Sequence, residues 1–164
     1  MKLADTSCVV CVFTELNCPF ILMDWLKRGY KITITNQVHK ELTENERTKS
    51  SVIPEIQSGK ICVNGEISEN EVIAFRTRYP KLGLGECSVI LTALKLNQEK
   101  KKYYAILDDK DARKTALKLG ITMTGTYGML KALREKNMID EQTYNTCKDK
   151  MEKSKFRINF DKIK

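Results

Sequence analysis

Acidic residues stand at four places in the sequence where they could act together. They are Asp5, Glu41, Glu86 and the pair Asp108-Asp109. Asp5 and Asp108-Asp109 each end a short apolar segment, while Glu41 and Glu86 lie beside the apolar faces of their helical segments instead of opposite them. Each acid has a local alternative explanation, as a helix cap, a complement to a helix dipole or the start of a turn.

Brought together, these carboxylates would do more than cap helices. Several ionised carboxylates in a small volume raise one another's pKa unless a cation lies among them. Oxygen ligands without histidine or thiolate favour Mg²⁺ or Mn²⁺. Divalent ions held in this way activate water and stabilise a leaving oxygen in phosphodiester hydrolysis. The four positions therefore predict a metal-dependent hydrolytic site.

The order of the predicted elements would place the acids on one rim. Apolar runs predict strands at residues 3–5, 31–35, 61–63, 103–107 and 121–124. Helical periodicity predicts helices at residues 6–13, 19–28, from 36 onward, and at 52–57, 68–78, 84–96, 111–119 and 126–136. Strands alternating with helices indicate parallel β-α-β units, and hence a three-layer α/β/α sandwich with a central parallel sheet. In such a sheet, ligands bind outside the carboxyl ends of the strands.

The composition predicts one globular domain with a basic surface. The chain has 164 residues, 41% of them hydrophobic, so we treat residues 1–164 as a single unit. Lysine and arginine number 29 against 21 acidic residues, and residues 83–164 carry 18 of the basic and 11 of the acidic side chains. A basic excess is typical of proteins that bind polyanions such as nucleic acids, although a solvated lysine-rich surface would look the same.

The ends of the chain give two further expectations. Residues 148–164 form a basic segment with seven basic and three acidic side chains. In it, Phe156, Ile158 and Phe160 alternate with polar residues and predict a strand that docks on the domain or on a dimer partner. The apolar runs at 8–13 and 20–23 are far shorter than the ~20 residues of a membrane span. Asp5 interrupts any signal-peptide core. We expect a cytoplasmic protein without a membrane anchor.

Six cysteines are present, and we expect all of them to be reduced thiols. Cys8 and Cys11 have the spacing of a C-x-x-C motif, but a zinc site needs a second ligand pair, and His39 is the single histidine. We interpret both cysteines as small apolar residues of a buried helix.

The motifs around the acids resemble those of the PIN-domain family, which includes the ribonuclease toxins of prokaryotic toxin–antitoxin modules. Asp5-Thr6-Ser7 is similar to the first acidic motif of the family, and Glu41 lies in a segment similar to the second. Leu84-Gly85-Glu86 resembles the third. The stretch 106–113, followed by Thr124-Gly125-Thr126, is similar to a subgroup of stand-alone prokaryotic PIN proteins.

The resemblance implies an endoribonuclease that depends on Mg²⁺ or Mn²⁺, acts on RNA and commonly forms dimers. It implies that four acids bind the metal and orient water, namely Asp5, Glu41, Glu86 and Asp109, with Asp108 and Asp111 as alternates for the fourth. Asp109 takes the fourth role by its spacing from Leu107, which stands where many of the toxins have threonine. Ser7 would support Asp5 and contact substrate, and Lys110 or Arg113 would lie near a phosphate.

Two other interpretations remain open from the sequence. One is a nucleic-acid-binding or ribosome-associated module that has the fold without turnover. The other is a different doubly wound protein, such as a phosphatase or a phospho-acceptor domain with an acidic pocket. A toxin would also have an antitoxin protein as its partner.

Overall fold

The computed structural model describes residues 1–154, which form five strands and nine α-helices. The strands are β1 (Lys2–Ala4), β2 (Ile32–Thr35), β3 (Ile61–Asn64), β4 (Tyr104–Ile106) and β5 (Met123–Thr124). The helices are α1 (Thr6–Val10), α2 (Phe20–Met23), α3 (Asn36–Thr43), α4 (Glu46–Gln57), α5 (Glu69–Arg78), α6 (Leu84–Gln98), α7 (Lys110–Lys118), α8 (Thr126–Glu135) and α9 (Glu141–Lys153). The predicted strand at residues 156–160 lies outside the described residues.

All strand pairs are parallel, and the strand order is β3-β2-β1-β4-β5. The chain adds β2 and β3 on one side of β1 and then crosses to add β4 and β5 on the other. The strand order therefore reverses between β1 and β4, whose carboxyl ends precede Asp5 and Asp108. A ligand site is expected at this point of a doubly wound sheet.

Buried strands hold the middle of the molecule. β1 and β2 are buried at every position, as expected for strands covered on both faces, whereas β3 is a partly exposed edge strand. Helix α6 contacts β1, β2 and β4 and packs with α5 and α7 in one layer. On the other side, α2 packs against α8, and α8 against α9. The predicted three-layer α/β/α sandwich is confirmed.

Four helical segments differ from the prediction, and one of them, α4, begins at Glu46 instead of the predicted residue 52. The first helix continues as a π-helical segment, Cys11–Glu15, and the second ends in a 3₁₀ segment, Asp24–Arg28, that stops at Gly29 with a φ of 74°. Helix α9 was missed: Asp140 caps it, and Tyr144, Cys147 and Met151 are buried on one face. Lys148 to Lys153, the start of the basic segment, therefore belong to a packed helix.

No helix within residues 1–154 combines the length and the apolar character that crossing a membrane requires.

Candidate active site

Asp5 is fully buried at the carboxyl end of β1, where it caps α1. Its Oδ1 accepts a hydrogen bond from the amide of Cys8 at 2.7 Å. Its Oδ2 is buried and has no hydrogen-bond partner among residues 1–154. Burial raises the pKa of Asp5 well above its usual range, and the charge of Asp108 raises it further, while the Cys8 amide opposes the shift. A buried carboxylate oxygen without a partner is costly unless a ligand satisfies it.

Asp108 follows the neighbouring strand β4 and is held by the start of helix α8. Its Oδ1 accepts from the Thr126 amide at 2.8 Å, and its Oδ2 accepts from the Thr126 hydroxyl at 2.5 Å. A Cβ on Gly125 would lie 2.9 Å from Oδ1, so glycine is needed for this close approach. Burial raises the pKa of Asp108, and the bonds from Thr126 and the charge of Arg113 oppose that rise. Asp5 and Asp108 thus form an interacting acid pair where the strand order reverses.

Glu41 is held between two elements at the same rim. One of its oxygens, Oε1, accepts from the Gly85 amide at 2.8 Å near the start of α6, and Oε2 accepts from the hydroxyl of Thr6. A Cβ on Gly85 would overlap Glu41 Oε2 and lie 2.9 Å from the Thr6 Oγ1 atom. Gly85 therefore lets the carboxylate dock on the amino end of the helix, where the helix dipole favours negative charge.

Glu86 is half-buried in the first turn of α6, and its Oε2 accepts from the Gly83 amide at 2.8 Å. Burial raises the pKa of Glu86; the Gly83 amide opposes this, and the charges of Asp109, Glu41 and Asp111 add to it. Glu86 therefore belongs to the same electrostatic cluster as the other acids, and its Oε1 accepts no hydrogen bond from the part of the chain that the structure describes.

The structure gives Asp108 and Asp109 different positions. Asp109 is exposed and caps α7, since its Oδ1 accepts from the amides of Asp111 and Ala112, both at 2.8 Å. It is Asp108, not Asp109, that interacts with Asp5. Asp109 and Asp111 interact with this cluster electrostatically, since their charges raise the pKa of Glu86. The geometry thus favours the alternate, Asp108, for the deep position, and the role of Asp109 as fourth acid stays a prediction.

The three predicted substrate-binding residues are placed differently from one another. Arg113 Nη1 donates to the Leu107 carbonyl at 3.0 Å, which holds the guanidinium beside Asp108 as a positioning group. Lys110 is exposed in the first turn of α7, and Ser7 is half-buried in α1. The hydroxyl that contacts an acid in this turn belongs to Thr6.

Sequence reasoning missed four residues that hold the acids in place, namely Thr6, Gly85, Gly125 and Thr126. Thr126 and Gly125 stand together in the segment Thr124-Gly125-Thr126, directly before a helix, and this placement was the available signal for a carboxylate-binding turn.

The donor atoms at this rim suit a hard divalent cation, because all of them are carboxylate oxygens. The unpartnered Asp5 Oδ2 beside Asp108 is the atom that a cation would satisfy. Within residues 1–154, however, no three histidine, cysteine or acidic side chains are already grouped as metal ligands. Asp5 and Asp108, which interact with each other, are the residues that would hold such a cation.

The cysteines take no part in such a site. All six are free, and Cys8 and Cys11 are buried in α1 and the π-helical segment, which confirms their prediction as apolar helix residues. Burial raises the pKa of both thiols, so neither readily becomes the thiolate that a metal ion requires.

A parallel α/β/α sandwich with an acid pair at its strand-order reversal defines the class of this chain, and the comparisons give the family. A family model described as PIN domain matches residues 4–164. The chain belongs to the PIN-domain family, and the predicted resemblance is confirmed.

One solved structure shows the same fold at low sequence identity. A PilT N-terminus domain protein from the hyperthermophilic archaeon Sulfolobus solfataricus P2 is 17% identical, with a TM-score of 0.51 over 80% of this chain and 91% of that chain. No match was found among the curated proteins.

Proposed function

We propose that this protein is a metal-dependent endoribonuclease that hydrolyses RNA phosphodiester bonds. One observation carries the proposal: the buried Asp5 Oδ2 has no partner and lies beside Asp108 where the strand order reverses, in a chain of the PIN-domain family. A carboxylate kept there without a ligand would be a net cost to the fold. A divalent cation would relieve that cost.

The four acids would divide the work. Asp5 and Asp108 would hold Mg²⁺ or Mn²⁺, which when bound supplies a more acidic water and neutralises charge on the leaving oxygen. Both carboxylate oxygens of Glu41 accept hydrogen bonds, so Glu41 would add a fixed negative charge to the rim. Glu86 Oε1 is free to accept a proton from water, and its raised pKa moves the group towards the range in which carboxyls exchange protons at neutral pH.

A basic groove next to the acids supports RNA as the substrate. Its volume is about 350 Å³, and its lining includes Arg78, Tyr79, Lys81, Asp111, Lys114 and Lys118. Asp111 connects this basic groove to the cluster around Glu86. Among the described residues, the four cations have no ion-pair partner within the usual distance. Unpaired cations around a tyrosine ring suit the phosphates and bases of single-stranded RNA.

The toxin of a toxin–antitoxin module is a narrower form of the same proposal. It rests on the motif resemblance, and it adds an antitoxin protein and a homodimer as partners. An adjacent gene for a small protein that inhibits cleavage when mixed with this one would support it, and light scattering would measure the oligomeric state.

The central test is cleavage of a labelled single-stranded RNA with Mg²⁺, with Mn²⁺ and with EDTA. We expect cleavage only with metal, and a loss of about 100-fold or more in Asp5→Asn and Asp108→Asn. Asp149→Asn, an exposed change on α9, serves as the control. Asp109→Asn tests the predicted fourth acid, and an equal loss there would assign it to the reaction.

Two results would contradict the proposal. If Asp5→Asn cleaves as fast as the parent under limiting metal, the acid rim is not the active site. If the parent binds RNA and cleaves none under any metal condition, the protein is instead a nucleic-acid-binding module with the PIN fold.

A further inference from the structure

A second groove lies at the edge of the sheet opposite the acids. It has a volume of about 510 Å³ and is formed where β1, β4 and β5 begin; among its lining residues are Tyr30, Asn97, Lys101, Lys102, Tyr103 and Tyr104. Asp5 lies three residues beyond Lys2, so the length of β1, about 10 Å, separates this amino-edge groove from the acid rim. Its size is that of a small-molecule site.

Tyrosine rings provide flat apolar surface in the amino-edge groove. Tyr104 is 42% exposed although it stands in a strand, and Tyr30 lies beside it. Both rings contact the ammonium of Lys2, whose Nζ is 4.3 Å from the Tyr104 centroid and 4.8 Å from that of Tyr30. Lys2 is itself buried, and the two rings line the groove while Lys2 does not. An exposed ring of this kind can stack with a planar ligand.

A buried hydroxyl in the same groove has no partner. Tyr103 is only 5% exposed, and its OH makes no hydrogen bond of ordinary geometry among the described residues. The Thr122 backbone and the Asn97 side chain are close enough to oppose the effect of burial on the pKa of Tyr103. Burial raises the pKa of Tyr103, so the hydroxyl stays protonated and can donate. Asn97 uses its Nδ2 on the Gly120 carbonyl at 3.3 Å, which leaves its Oδ1 as an acceptor. A ligand with a polar edge would satisfy both groups.

Two lysines, Lys101 and Lys102, add positive charge to the lining of the groove. Lys101 pairs with Glu99 at 2.7 Å, while Lys102 has no ion-pair partner within residues 1–154. Burial, and then the charge of Lys136, lower the pKa of Lys2 to about 8, so two positive charges lie close together near the tyrosine rings. An anionic group would lower this mutual repulsion.

We propose that the amino-edge groove binds a nucleotide, with its base against Tyr104 and its phosphate against Lys102. The combination of features selects this class of ligand. Inorganic phosphate would not use the tyrosines, an uncharged sugar would not use the lysines, and a lipid would leave the Tyr103 hydroxyl unsatisfied. The nucleotide can be free or a unit of an RNA strand. The inference goes beyond the nuclease proposal and does not depend on it.

Trp25 makes the test direct because it is the single tryptophan of the chain. Its ring centroid is 5.4 Å from that of Tyr30, and Lys2 Nζ is 4.0 Å from the Trp25 ring. AMP is titrated in EDTA up to about 1 mM while tryptophan fluorescence is recorded. We expect a saturable change, with affinity reduced about tenfold in Tyr104→Leu, which loses the stack, and also reduced in Lys102→Gln.

Three further measurements separate the alternatives. Lys81→Gln, which removes one charge from the other groove, should bind AMP like the parent. Adenosine should bind more weakly than AMP. A ten-nucleotide RNA, added to the Asp5→Asn variant in EDTA so that it is not cut, shows whether a strand binds more tightly than the free nucleotide and is therefore the natural source.

The proposal is overturned if AMP gives no saturable change, or if Tyr104→Leu and Lys102→Gln bind AMP as the parent does while melting at the parent temperature. Loss of binding in Lys81→Gln alone would assign AMP to the other groove. Displacement of AMP by an equal concentration of inorganic phosphate would show that the base is not recognised. None of these results bears on cleavage at the acid rim.

Discussion

The Asp5 carboxyl group is costly to keep at its position, because the group is fully buried and Oδ2 lacks a partner. Asp108 adds a second negative charge beside it. The Cys8 amide compensates through its hydrogen bond to Oδ1, and the backbone amide of Asp108 also opposes the rise in the pKa of Asp5. A side chain retained at such a cost points to ligand binding, since a shape-matched neutral group would make the apo fold more stable.

The cost of Asp5 predicts a pH-dependent gain in stability for Asp5→Asn. Above the ordinary aspartate pKa, Asp5 loses its proton in the unfolded chain. In the folded protein the pKa of Asp5 is raised, so the carboxyl group keeps its proton or loses it at a cost in free energy. The free energy of unfolding of the parent therefore falls with rising pH relative to the variant. In EDTA, we expect Asp5→Asn to be more stable by about 1 kcal/mol or more at pH 7, with the difference vanishing below about pH 4.

Thermal melts from pH 3.5 to 7.5 measure this difference, with the exposed change Asp149→Asn as control. Adding Mg²⁺ at pH 7 should raise the melting temperature of the parent and leave that of Asp5→Asn unchanged, because binding to the folded state alone stabilises it. A difference between parent and variant that does not vary with pH would contradict the assignment of the cost to ionisation.

At the scale of elements, two helix starts hold two of the acids. Glu41 accepts from the Gly85 amide at the start of α6, and Asp108 accepts from the Thr126 amide at the start of α8. Each carboxylate gains from the positive end of a helix dipole, and each requires a glycine close by. The glycines therefore fix how near the helices approach the acid rim.

This close approach predicts an unusual effect of Gly85→Ala. Glycine to alanine within a helix normally gains up to about 1 kcal/mol. Here the new Cβ would overlap the Glu41 carboxylate, so we expect a loss of about 1–3 kcal/mol and reduced cleavage. At Gly83 the new Cβ would meet Glu86 Oε2 at 3.7 Å, an ordinary contact, and Gly83→Ala should cost less than about 1 kcal/mol.

Chemical denaturation of the two variants, and of each in a Glu41→Ala background, tests the mechanism. The loss caused by Gly85→Ala should shrink when Glu41 is truncated, because the clash is removed, while the effect of Gly83→Ala should not change. An equal cost of Gly85→Ala in both backgrounds would mean that the overlap with Glu41 is not its cause.

The sequence allowed the sheet and the rim to be predicted because strand ends and apolar faces are local patterns. The positions of Asp5 and Glu41 at this rim were predicted in this way, and their roles there stay predictions. Which of the two adjacent aspartates turns inward was not predictable. The backbone path after β4 decides whether Asp108 or Asp109 points into the site, and that path depends on how α7 and α8 dock. The spacing of Tyr144, Cys147 and Met151 is helical and could have predicted α9, but the lysines among them obscured the apolar face.

At the scale of the whole molecule, cations lie on both edges of the sheet, and the acids lie on one. The groove at Arg78 and Lys81 continues into α7, where Lys114 and Lys118 line it, and it meets the acid rim at Asp111. A charge distribution of this kind draws a polyanion towards the cluster of carboxylates from one side. The scissile phosphate would then reach the acids with its neighbours already neutralised.

This arrangement predicts the salt dependence of RNA binding. For a single strand, the slope of log K against log salt is about −0.7 per phosphate contact, so Lys114→Gln combined with Lys118→Gln should make the slope shallower by about 1.4. Binding is measured by anisotropy in EDTA, on the Asp5→Asn background, between about 50 and 200 mM salt. The matched control is Lys49→Gln combined with Lys60→Gln, which removes the same charge from two lysines that are ion-paired with Glu46 and Glu55. If the control pair flattens the slope equally, the net charge of the protein, and not this groove, holds the RNA.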